Sequence, residues 1–152
     1  MTRDEAIAEV VVRATVHLHA LLATGPLTRL AALQPRDTDY ERLFVPAAAA
    51  GARAGYAGLW GAPPPWPAGP DQTVIHVAGA WSDALGVASA VTRAFPGGYA
   101  TIATALQPGV VWMVWEVVAP GQRDGISFDG LTAIDDRFVW CPKPWRVVPT
   151  TD

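Results

Sequence analysis

The chain has 152 residues, 51% of them hydrophobic and only 16% charged, and its net charge is −3. That length predicts one domain, residues 1–152, large enough to bury a core without staples. The acidic balance, with no run of Lys or Arg, excludes the electrostatic footprint of a nucleic-acid binder, and the lone Cys141 excludes an internal disulfide and any multi-cysteine metal site.

The first residues, Met1-Thr2-Arg3-Asp4-Glu5, bring acids early and no apolar leader core. Apolar runs elsewhere break well short of the ~20 residues that a membrane span needs. The expectation is a soluble cytoplasmic protein with no membrane contact, no cofactor and no metal.

Asp4 to Ala23 reads as a helix. Ile7, Val10, Val11, Ala14, Leu18, Leu21 and Leu22 recur at helical spacing, Thr2 or Asp4 supplies the cap, and Gly25-Pro26 stops it. Leu27 to Leu33 predicts a short helical turn. Pro46 suits the first turn of a helix over Ala47 to Trp60. The glycines of that helix, Gly51, Gly55 and Gly58, weaken it but let another segment approach closely.

Residues 61–71 hold five prolines and predict an extended surface connector. Beyond it, Thr73 to Ala80 alternates as a strand, with Val74, His76 and Ala78 on one side. Trp81 to Ala90 reads as helical from Ser82 or Asp83, and Tyr99 to Leu106 as a further helix.

The clearest pattern is a meander: strands at Val110 to Val118, Ile126 to Ile134 and Arg137 to Cys141, joined by a loop at 119–125 and a tight turn at Asp135-Asp136. Pro142 and Pro144 interrupt it, because proline cannot donate to a ladder. Trp145 to Val148 predicts an edge strand. The class that follows is α+β, with N-terminal helices packed on a curved antiparallel sheet formed mainly by the C-terminal meander.

Chemistry-bearing residues are sparse. His17 and His19 point about 200° apart at the ~100° per residue of a helix, so they cannot share a metal. His17 is expected buried and hydrogen-bonded, His19 exposed. His76 is a weak candidate general base. Glu116 shares a strand face with Trp112 and Val114, and Asp129 sits similarly one strand away, so both are weak acid–base candidates if they turn inward together. The alternative is that they lie on a solvated face or pair with Arg137, Lys143 or Arg146. Cys141 is a possible nucleophile if Lys143 or Arg146 lowers its pKa. No phosphate-binding glycine loop and no serine elbow is present.

Tryptophan carries the strongest signal. Trp112 and Trp115 differ by three and emerge on opposite faces of one strand, so either one is exposed or the sheet is covered on both sides. Trp112, Trp115, Trp140 and Trp145, with Lys143 and Arg146 beside them, make a candidate binding surface. The function expected first is a non-enzymatic protein-binding module of inhibitor, adaptor or toxin-neutralising type that uses exposed aromatics. Two alternatives stand beside it. One is a small-molecule pocket or minor enzyme on a cone-shaped α+β fold, lined by His76, Trp112, Glu116 and Asp129. The other is a homo-oligomer that pairs through its sheet.

Overall fold

The computed structural model describes residues 1–149; the last three residues of the expected domain lie outside the described residues. In chain order the elements are α1 (Arg3–Leu22), α2 (Asp39–Leu43), α3 (Pro46–Gly61), β1 (Val74–Trp81), α4 (Gly98–Ile102), β2 (Val111–Val118), β3 (Ile126–Ile134) and β4 (Arg137–Trp140), with single 3₁₀ turns between them. The strands form one antiparallel sheet in the order β1-β2-β3-β4. The α+β class is therefore correct, with most of the helix before most of the sheet.

α1 begins where its side chains stop it fraying. Thr2 Oγ1 accepts from the Glu5 amide at 3.1 Å, and Glu5 Oε2 accepts from the Thr2 amide at 2.9 Å, so each side chain satisfies the other's backbone. Ala14, Leu18 and Leu21 of α1 are buried against one sheet face, formed by Ile75, Met113, Trp115, Val117, Leu131 and Trp140. Fully burying a leucine there is worth about 2 kcal/mol. His17 is half-buried, with its ring 5.4 Å from Phe138. That aromatic contact stands where a buried hydrogen bond is expected. His19 is exposed.

The proline segment does more than connect. Pro65, Pro67 and Pro70 lie outside, but Trp66 between them is wholly buried. Its amide donates to Pro26 O, and Arg29 Nη1 donates to its carbonyl at 2.7 Å. Its ring meets Trp115 at 5.7 Å and Phe128 at 5.5 Å. Stiff prolines on both sides hold the plug at low entropic cost.

The second face carries another core. Ala48, Ala49, Ala52 and Tyr56 of α3 pack with Phe44, Tyr99, Ile102, Trp112 and Val139. Small α3 residues admit the C-terminal segment, as expected: a β-carbon at Gly55 would stand 2.7 Å from Val147. α2 grips the β3–β4 turn. Arg42 pairs with Asp135 at 2.7 Å, and the largely buried Asp39 pairs with Arg137 at 2.8 Å. Asp135 takes a positive φ of 55°, which Asp tolerates in tight turns.

Trp112 and Trp115 are thus both buried, at 0% and 2% exposure, on opposite faces. The second layer exists, and neither tryptophan is an exposed anchor. Two expected elements differ. Residues 82–90 make only a 3₁₀ turn at Ser82–Ala84. Ser82 Oγ donates to Gln107 O at 2.6 Å and accepts from the Val110 amide, which ties the segment to the start of β2 instead of letting a helix run on. Residues 145–148 form no strand. Lys143 is left-handed (φ 47°) between two prolines, and Pro144–Arg146 coil into a 3₁₀ turn.

Candidate functional site

Cross-strand rows on the Trp112 face define the site. Ala80, Trp112 and Thr132 form one row, Ala78, Val114 and Asp129 the next, and His76, Glu116 and Ser127 the last. The first row is sealed, with every member at most 2% exposed. The last row is not covered: His76 and Ser127 are exposed and Glu116 half-buried. The helices on this face cover only one end of the sheet, and a cleft opens over the other.

Strand parity alone would not put Asp129 here. The β2–β3 register shifts between Met113 and Val114, which skips Gly130. Leu131 therefore points to the α1 face, while Asp129 and Ser127 point to the cleft face. Gly130 has φ 86°, and a β-carbon there would fall on the Cys141 carbonyl oxygen. Only glycine permits this bulge.

Asp129 is the most constrained group, at 8% exposure. Its Oδ2 accepts from Tyr99 Oη at 2.7 Å and from the Lys143 amide at 2.8 Å. Its backbone carbonyl accepts from Trp140 Nε1 at 2.7 Å. Burial, then the Asp129 charge, then the hydrogen bond push the Tyr99 phenol well above its ordinary value, so Tyr99 stays a donor. The partner of Asp129 is thus a backbone amide and a phenol, and Arg137 is spent on Asp39.

The cleft has a volume of about 490 Å3. Ala94 and Pro96 form its wall, Ala78 and Val114 its apolar floor, and His76, Glu116, Asp129 and Lys143 its polar groups. A groove of about 570 Å3 adjoins it, shares Ser127, Phe128, Asp129 and Lys143, and continues between α3 and Arg146.

The residues expected from sequence divide cleanly. His76, Glu116 and Asp129 are brought together, and Lys143 and Arg146 are exposed at the cleft and groove. Trp112, Trp115 and Trp140 are core, at 5% exposure or less. Trp112 lies at the covered end and not in the cleft lining, because it is capped by Tyr99 and Phe44 at 5.8 and 6.0 Å. Trp145 is half-buried against Tyr99 at 5.3 Å. Cys141 is wholly buried, and burial pushes its thiol far up, so it is no nucleophile. Tyr99 and Ser127 were not legible as site residues, although Ser127 shares period-two parity with Asp129.

Chemically, His76 lies directly across from Glu116 on the neighbouring strand, so an imidazole and a carboxylate, both able to give and take a proton, border one cleft. Ser127 and His76 are two strands apart, roughly 10 Å at ~4.8 Å per strand, so the serine–histidine contact of a hydrolase is not built. Among the described residues no group of three His, Cys, Asp or Glu is placed to hold a metal, and no helix is long and apolar enough to cross a membrane. No protein-family model, curated protein or solved structure matches the chain.

Proposed function

We propose that the chain binds a small organic molecule in the cleft over β1, β2 and β3. One observation carries this reading: His76, Glu116 and Asp129, scattered over 54 positions of sequence, line one cleft at the less covered end of the Trp112 face. The volume of about 490 Å3 lies within the ~300–1,000 Å3 usual for ligand pockets, and a few polar groups converge over an apolar floor. His76 and Glu116 add acid–base capacity, which makes a proton-transfer reaction on the bound ligand the natural enzymatic extension.

The protein-binding reading has less support. The aromatic anchors it required are in the two cores. The large apolar side chains left outside include Met1, Val12, Val16, Leu27, Val87 and Val91, all aliphatic, with Val12 and Val16 one turn apart on α1.

A fragment screen read by amide chemical shifts tests the proposal. Hits should move the amides of Ala78, Val114 and Ser127 together, and the double variant His76→Ala, Glu116→Gln should weaken them at least tenfold. Hits that map to the Val12–Val16 side of α1, or no hits at all, would remove the cleft from consideration.

A further inference from the structure

Resting on that reading, we propose that the ligand offers a cationic N–H group, a primary ammonium or an amidinium on an apolar body, to the open oxygen of Asp129. Both hydrogen bonds to this carboxylate end on Oδ2. Oδ1 receives none from the described residues, although the side chain is more than nine-tenths buried and lines the cleft. Oδ1 is the oxygen left open toward the cleft, so a donor arriving from that side would add a hydrogen bond to a carboxylate already held in place.

Charge selects the donor. Glu116 and Asp129 face the cleft with Lys143 and His76, two acids against one fixed cation and one imidazole. None of the four belongs to an ion pair among the described residues. A neutral hydroxyl would satisfy Oδ1 but leave the excess acid uncompensated. A cationic N–H does both, and a charge-assisted hydrogen bond is roughly twice as strong as a neutral one. Ala78, Val114 and Pro96 give the body of such a ligand an apolar seat beside the acid. Tyr99 matters by position: it occupies Oδ2, holds the carboxylate in one orientation and leaves Oδ1 to the ligand.

The test uses the full chain and four probes of one shape: benzylamine, benzamidine, benzyl alcohol and benzoate, titrated at pH 7 and followed by amide shifts. The two cations should bind at least tenfold more tightly than the alcohol, and benzoate should be the weakest. Asp129→Asn should bring benzylamine within about twofold of the alcohol, with near-UV circular dichroism confirming its fold. Because that variant risks the fold, Val114→Lys provides a second arm. It places a tethered ammonium directly across from Asp129 and should weaken the two cations at least tenfold more than it weakens benzyl alcohol, whereas added bulk alone would weaken all of them alike. Equal binding of cation and alcohol, or tighter benzoate, overturns the ammonium inference and leaves the pocket standing. Failure of all four probes to move cleft amides counts against the pocket itself.

Discussion

The two faces of the sheet solve the same burial problem differently. On the α1 face, a long capped helix and the Trp66 plug cover the strands, Trp115 and Phe128 stack beneath them, and Trp140 is buried edge-on against Trp60. On the other face, α3 and α4 cover the Trp112 row and stop, leaving acid and imidazole where the first face has rings. The residues of β2 alternate between these fates, so neighbours one position apart belong to different economies of contact. Closure on one side supplies the rigidity on which an open side can hold charged groups still.

The comparison breaks most visibly at β2. Trp115→Ala should cost about 4 kcal/mol of stability by urea unfolding, as large aromatic truncations in packed cores do, whereas Glu116→Ala next to it should change stability by no more than ~0.5 kcal/mol. Comparable losses at the two positions would mean that the faces are not distinct.

Gly130→Ala attacks the device that separates the faces. It forces a side chain into a positive φ and onto Cys141, so roughly 3 kcal/mol of destabilisation is expected. A soluble, folded variant should also lose the amide-shift response of the cleft, because Asp129 would no longer be aimed into it.

The smallest effect is a pH dependence confined to the closed face. Burial lowers the pKa of His17 below its ordinary 6.5. The unfolded chain therefore takes up a proton near 6.5 before the fold does, so stability from this group is full above that pH and is lost as pH falls through the folded value. Urea midpoints compared at pH 7.5 and 5.5 should drop for the parent chain and drop less for His17→Gln. Identical drops would place the titration elsewhere.

Much of this was legible in the sequence. Period-two alternation located all four strands within a residue or so, Ile126–Ile134 to its ends, and Asp135-Asp136 read as the turn it is. Trp112 and Trp115 parity demanded either an exposed ring or a second layer, and the layer is there. The gathering of His76, Glu116 and Asp129 was legible only as a condition, because it depends on register. Here the register turns on one bulge, which no count of alternation across Asp129 and Leu131 reveals. Residues 82–90 and 145–148 misled because their local pattern was overridden by tertiary ties, Ser82 to Gln107 and Val110 in the first and the left-handed Lys143 in the second. Trp66 hid in a run whose composition speaks of surface.

Lys143 is the one lysine in the sequence, and the fold holds its backbone in place by the Asp129 hydrogen bond, at the seam between cleft and groove. Amine-directed chemistry therefore has a single side-chain address on this molecule. A dye or crosslinker attached at that nitrogen reports from the lip of the cleft alone, turning a sparse composition into a ready-made probe of whatever arrives there.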